Sequence, residues 1–372
     1  MEPNRRRSHR ASVLGLILLF IAVADGSALA ADKSSIAGFS TVTTVGTTVP
    51  ANGDLNPYGV ARVPKTKGSL IEGRFLISNF NNGANQQGTG TTIVQIGPNG
   101  TFSLFAQLDA NKVSCPGGIG LTTALVALRS GLVVVGSLPT MGGDSTTSQA
   151  GCLIVLDSNG NVIKTFSGHH INGPWDMTAV DGGPSAALFV TNVLNGTVAA
   201  KSNVVNDGTV VRLLLAIPES GPPELIDSAV IASGFPERTD PNALVIGPTG
   251  VAFDDESGIL YVADSLKNRI AAIPNALFRP NSAGPGYTVS QGGALNDPLG
   301  LTLTQDHHLI AANGNDGNLV EINPWSGEQI AVKLVDDTGG PPPGAGALFG
   351  LIAESDGVYF VDDASNTFNL LH

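Results

Sequence analysis

An all-β fold of six repeated four-stranded antiparallel units is what this sequence predicts, and three observations carry the prediction. Short apolar runs rich in Val, Ile, Leu and Ala recur along the chain between Gly, Asn, Asp and Pro clusters, the pattern of strands joined by tight turns. The runs come in sets that begin alike, at a spacing that belongs to repeat arrays. The composition agrees: 47 Gly, 23 Pro and a charged fraction of only 13% in 372 residues describe many turns and little long helix.

The clearest copy is Gly247 to Ile273, GPTGVAFDDESGILYVADSLKNRIAAI. Val251 to Phe253, Leu260 to Ala263 and Arg269 to Ile273 read as consecutive antiparallel strands, with turns at Asp254 to Gly258 and Asp264 to Asn268. Six stretches start in the same way: Pro57 to Ala61, Gly118 to Thr122, Pro174 to Thr178, Pro248 to Ala252, Pro298 to Thr302 and Leu348 to Ile352. Their third residues, Gly59, Gly120, Asp176, Gly250, Gly300 and Gly350, are 61, 56, 74, 50 and 50 positions apart.

Taken in order, the first thirty residues stand apart. Arg5, Arg6, Arg7 and Arg10 precede an apolar run from Val13 to Ala24, and Ala28-Leu29-Ala30 supplies small residues for cleavage, so residues 1–30 are expected to be a secretory signal peptide. The run is shorter than the roughly 20 residues a bilayer span needs. Residues 31–372 are expected to form one domain, secreted or periplasmic, with no membrane insertion after cleavage.

Second strands are expected at Phe75 to Asn79, Leu132 to Gly136, Leu188 to Asn192, Leu260 to Asp264, Leu309 to Asn313 and Val358 to Asp362. Third strands follow at Thr92 to Ile96, Leu153 to Leu156, Val210 to Leu214, Arg269 to Ile273, Leu319 to Ile322 and Thr367 to Leu371. Fourth strands fall at Thr101 to Phe105, Val162 to Phe166, near Glu224 to Ile231, near Tyr287 to Ser290 and at Ile330 to Val335. The sixth unit has none, because the chain ends at His372. Phe39 to Val45 is expected to supply it and close the ring, giving a six-bladed β-propeller.

In Pro248 to Ile270 the PxGVA…LYVAD…N-R-I pattern resembles the NHL repeat. The resemblance is sharp in the fourth unit; several units lack the Asp and Asn of the second turn, and the third has Asp176 where the others have glycine. NHL-type propellers include binding scaffolds and lactonase-like and lyase-like enzymes, so the resemblance implies architecture and leaves activity open.

Charge excludes one class of partner. Formal net charge is -12, and removing residues 1–30, with four Arg and two acids, leaves 15 Lys and Arg against 29 Asp and Glu, or -14. Nucleic-acid binding needs clustered cations that neutralise phosphates, and none remain.

In four-stranded blades the second-to-third and blade-to-blade connections share one face. That face receives the long loops Asn81 to Gly90, Ala110 to Gly117, Ser137 to Ala150, Gly168 to Pro174, Leu194 to Asp207, Ser233 to Gly247 and Asp336 to Gly346. The opposite face receives tight turns such as Arg129 to Gly131. Recognition is expected where long loops stand on a rigid scaffold. Cys115 and Cys152 fall on this face too, which favours a disulfide in an oxidising compartment.

The densest polar stretch is Ser167 to Met177, SGHHINGPWDM. One reading joins His169, His170 and Asp176 with the strand ends Asn79, Asn192, Asp264, Asn313 and Asp362 in a ligand or metal site, Asp176 holding a divalent cation such as calcium. The other makes those Asn and Asp turn caps and sends adjacent His side chains to opposite sides of an extended chain. Trp175 is either a stacking surface for a ligand or a core indole. No Gly-x-Ser-x-Gly elbow, phosphate loop or paired Cys and His nucleophile is present. The expected function is therefore a non-catalytic scaffold binding a protein, glycan or small molecule through the long-loop face. The alternative is a metal-dependent lactonase- or lyase-like enzyme with its cation near the axis.

Overall fold

The computed structural model describes Met1, residues 33–241 and residues 243–372; the expected signal peptide lies outside the described residues. From Ser34 to His372 the chain forms one compact unit of six antiparallel sheets. Blade 1 comprises Leu55–Arg62, Phe75–Asn81, Thr92–Ile96 and Phe102–Gln107, and blade 2 comprises Leu121–Ala127, Val133–Ser137, Cys152–Leu156 and Val162–Phe166. Blade 4 is Pro248–Asp254, Ile259–Asp264, Arg269–Ile273 and Tyr287–Gln291; blade 5 is Pro298–Leu303, Leu309–Asn313, Asn318–Ile322 and Gln329–Leu334. Blade 6 takes Leu348–Glu354, Gly357–Asp362 and Thr367–Leu371 from the C-terminus and Val42–Thr47 from the N-terminus. The register pairs Val42 with Leu371 and Thr47 with Thr367, so the ring is closed by strand pairing between the two ends of the propeller.

The first strand of each blade packs against that of the next, and blade 6 returns to blade 1. All six first strands carry a bulge near their start, at Pro57/Val60, Leu121/Leu125, Pro174/Met177, Pro248/Val251, Pro298/Gly300 and Leu348/Leu351. The bulge bends the strand where neighbours crowd the axis. Here glycine is a steric requirement: a Cβ on Gly59 would lie 2.6 Å from the Thr123 carbonyl, and one on Gly250 would lie 2.5 Å from Leu301 N. Hydroxyls rivet the same level. Gly59 N donates to Ser78 Oγ (3.0 Å), which donates to Thr122 O of blade 2 (2.7 Å). Asp176 N donates to Thr191 Oγ1 (3.0 Å), which donates to Thr249 O of blade 4 (2.7 Å).

Two sequence expectations are corrected. In blade 2 the first strand begins at Leu121, not Gly118, and its bulge spans Leu121 to Leu125. Gly120 instead passes against the backbone of Gly88 in blade 1's loop, so the glycine that looked axial serves a close approach between loops. In blade 3 the strands are Gly173–Asp181, Ser185–Val193, Val205–Ala216, Glu224–Asp240 and Leu244–Ile246, a five-stranded sheet. The stretch Ser233 to Gly247, expected as a loop, is the end of a 17-residue strand and a hairpin pairing Arg238 with Ile246 and Asp240 with Leu244. Gly234, Pro236 and Pro241 punctuate the sequence there, but buried Phe235 and Ile246 give the segment a packed face.

That hairpin plugs the axis on the long-loop face. Leu244, Val245 and Ile246 join Tyr58, Phe80, Leu138, Trp175, Val193, Leu299 and Phe349 in one core cluster. Tyr58 stacks between Phe80 (4.3 Å) and Phe349 (4.0 Å). Burial of such rings stabilises by roughly 25 cal/mol per Å² of apolar surface. Leu244 adopts φ 62°, a strained conformation for a branched side chain that the packing around it sustains.

Glu237, on the same hairpin, is fully buried; its Oε1 accepts from Asn195 N (2.9 Å), while Oε2 has no partner among the described residues. Burial pushes its carboxyl from 4.5 up to about 8. Between those values the folded state keeps a proton that the unfolded chain releases. This contribution is therefore full below 4.5 and is lost as pH rises through about 8. Glu237→Gln, neutral at every pH, is expected to match the parent in acid. Above about pH 8 it should be more stable by on the order of a few kcal/mol. Urea melts across that range check it; parallel pH profiles would sink the assignment.

Candidate functional site

Two cavities lie on opposite sides of the plug, the first on the axis and the second between the hairpin and blades 4 to 6. The first, of about 390 Å³, opens on the tight-turn face and is lined by the first strands of all six blades, among them Val60 to Arg62, Asp176 to Ala179 and Leu351 to Ala353. Asp176 lies within it. Its Oδ1 accepts from Met177 N (2.8 Å) and its Oδ2 from Val251 N of blade 4 (3.0 Å), so the carboxyl bridges two blades at a level where Gly59, Gly250, Gly300 and Gly350 have no room for a side chain. Burial outweighs these bonds and raises the group to about 7.

The second cavity, of about 740 Å³, opens on the long-loop face. Its floor is apolar, with Ile246, Leu266, Leu299 and Phe349; its walls carry Arg238, Asp240, Asp297 and Asp363. Arg238 pairs with Asp240 at 2.9 Å, and Asp240 Oδ1 also accepts from Ala243 N (3.2 Å). Asp297 sits at the entry to blade 5, where Asn268 Oδ1 accepts from its backbone N (2.7 Å) and holds it at φ 55°. Burial raises Asp297 to about 6, with Asp240 pushing it further up and Arg238 pulling it down. Asp363 follows the second strand of blade 6, and burial with neighbouring Asp362 raises it to about 7.

The residues singled out from the sequence do not converge on either cavity. His169 and His170 are exposed at φ 52° and 67°, the two central positions of a turn closed by Ile171 N to Gly168 O (2.8 Å). That turn lies on the long-loop side, whereas Asp176 faces the other channel. Trp175 is buried and its Nε1 donates to Val245 O (3.0 Å), tying the hairpin to blade 3.

The strand ends are buried and bound within the scaffold. Asn79 Nδ2 donates to Thr48 O (3.0 Å), Asn192 Oδ1 accepts from Asn172 N and Gly173 N (2.7 and 2.8 Å), and Asn313 Oδ1 accepts from Asn296 N (3.1 Å). Asp362 Oδ1 accepts from Ser365 N (3.1 Å), and Asp264 pairs with Arg269 at 2.7 Å. Asn192 and Asn313 fasten the incoming blade connection to the second strand. Among the described residues, no three His, Cys, Asp or Glu side chains gather as ligands for a metal ion. Asp176 thus stands apart from His169, His170 and the strand-end residues expected to join it around a divalent cation, and no chemistry is derived through such an ion.

The second cavity's acids were missed in the sequence because each stands outside the repeated strand pattern. The available signal was Asp240-Pro241 and Asp297-Pro298, acids placed just before proline in blade connections.

Fold and cavities together define a six-bladed β-propeller with a small-molecule-sized cleft on its long-loop face. Solved structures share that fold. A gluconolactonase from Xanthomonas campestris superposes with a TM-score of 0.53 at 13% identity, covering 89% of this chain and 88% of that one. Virginiamycin B lyase from Staphylococcus aureus gives 0.46 at 12% identity over 89% and 98%. A chain of the nidogen/laminin complex gives 0.44 at 11% over 75% and 80%. No family model matches the sequence, and no curated protein matches it. At these identities the likeness concerns the fold alone.

Proposed function

We propose that this chain is an exported, NHL-like binding propeller that takes a small molecule, or the polar end of a glycan or protein ligand, into the long-loop cavity. The single observation that carries the reading is the cavity itself: an apolar floor under Arg238, Asp240, Asp297 and Asp363, in the size range of ligand pockets. Export rests on the Arg-rich and apolar segment of residues 1–30, and N-terminal sequencing of the exported protein is expected to begin at Ala31. The binding reading is tested by thermal-shift screening of the mature protein against saccharides and small polar metabolites. A hit should be lost in Asp297→Ala and kept in Asp176→Asn, which alters only the opposite channel. A hit unaffected by Asp297→Ala would place the ligand elsewhere.

One observation favours a second, enzymatic reading. Asp297 and Asp363, raised to about 6 and about 7 in one cavity, include both protonated and ionised carboxyls near neutral pH, the condition for acid–base chemistry on a lactone or similar substrate. Turnover of gluconolactone abolished by Asp363→Asn would favour this reading over pure binding.

A further inference from the structure

The cavity on the long-loop face gathers three acids around one arginine, and its chemistry narrows the ligand. The inference rests on the binding reading above. Of the charged residues that line the cavity, Arg238 is the one cation among the described residues, and it is committed to Asp240 at 2.9 Å. Asp297 and Asp363 remain. Neither carboxyl has a hydrogen bond or an ion-pair partner among the described residues.

Tyr58 lies behind the floor, its ring stacked on Phe349 at 4.0 Å, and does not line the cavity. Two carboxyls without a partner among the described residues in a partly dehydrated cleft are unfavourable unless something completes them.

We propose that this cavity binds an amine-bearing small molecule, whose ammonium compensates Asp297 and Asp363 while its apolar body lies on Leu266, Leu299 and Phe349. Three alternatives fit less well. An anion would meet Asp297 and Asp363 with Arg238 already paired. A single metal ion needs ligands that converge, and these acids are spread over separate connections: Asp240 on the hairpin of blade 3, Asp297 before blade 5 and Asp363 within blade 6. A neutral sugar would satisfy hydrogen bonds but leave the charge in place. An organic cation meets both features, since charge complementarity and an apolar floor act on different parts of one molecule.

The test is calorimetric titration of the mature protein with phenethylamine and cadaverine, alongside their uncharged counterparts phenethyl alcohol and pentanediol. The amines are expected to bind about tenfold or more tightly than the alcohols. Asp297→Asn and Asp363→Asn should each remove that preference, while Asp176→Asn leaves it intact. Amines that do not bind, bind no better than the alcohols, or bind equally to Asp297→Asn overturn the proposal. If instead a saccharide binds and is lost in Asp297→Asn, the cavity reading stands and the amine proposal alone falls. Stoichiometric calcium bound by the parent and lost in Asp297→Asn would replace the amine with a metal.

Discussion

Arg269→Ala is expected to destabilise the propeller by about 3–5 kcal/mol, the usual effect of stripping one partner from a buried ion pair. Arg269 and Asp264 face each other across the second turn of blade 4, register partners in the same hairpin, with side chains 7% and 0% exposed. Both Nε and Nη2 of the guanidinium donate to Asp264 Oδ2, at 3.0 and 2.7 Å, and Nη2 also donates to Pro285 O at 3.0 Å. The guanidinium lies 6.0 Å from the Phe235 ring of blade 3, so the one side chain ties two blades. Removing it leaves Asp264, whose Oδ1 already lacks a partner among the described residues, as a bare carboxylate in a dry site.

Burial raises the Asp264 carboxyl even with Arg269 beside it. Loss of the arginine should push it further in the same direction. The deficit of the variant should therefore be smallest in acid and grow as pH rises through the shifted value. Urea denaturation at several pH values checks this. A deficit below about 1 kcal/mol at neutral pH would mean the pair is no stronger than an exposed one.

Replacing Cys115 and Cys152 together by serine is expected to remove about 4 kcal/mol, because the bridge spans a sequence separation of 37 and restricts the unfolded chain accordingly. Cys152 opens the third strand of blade 2 and is fully buried, and Cys115 packs beside it in the core shared by blades 1 and 2. The bond thus anchors the connection between those blades. The readout is the denaturant midpoint of parent and double variant, each with and without reductant. Parent and variant should differ only without reductant; equal midpoints under oxidising conditions would show that the bridge adds nothing.

The motif that looks most like a functional signature in the sequence turns out to be built of fasteners. In Pro248 to Ile270, Gly250 clears the backbone of Leu301, and Asp264 pairs with Arg269. Asn268, at φ 47°, uses its side chain to hold the start of blade 5 through Asp297 N. Fastening recurs in other blades with a different reach, Asn192 and Asn313 binding the connection into their own blade where Asn268 binds the connection into the next. The sequence repeat is therefore legible because each blade must solve the same fastening problem. The charged residues of the long-loop cavity stand outside the repeated strands, while Ser265, Leu266 and Asn268 of this motif also line it.

By itself the sequence determined the β class, the number of blades, the closure by an N-terminal strand and the pairing of Cys115 with Cys152. Each follows from local periodicity or from the placing of a few residues in a repeat, and strand alternation and turn chemistry act over a handful of neighbours. The tertiary structure alone decided the three-residue later start of blade 2's first strand, the hairpin that plugs the axis, and the meeting of Arg238, Asp240, Asp297 and Asp363 around one cavity. The Arg238 and Asp240 pair, Asp297 and Asp363 stand far apart in the chain and come together only because the hairpin of blade 3 reaches across to blades 5 and 6. Burial there, and not anything in their local sequence, is what lifts Asp297 and Asp363 toward neutrality.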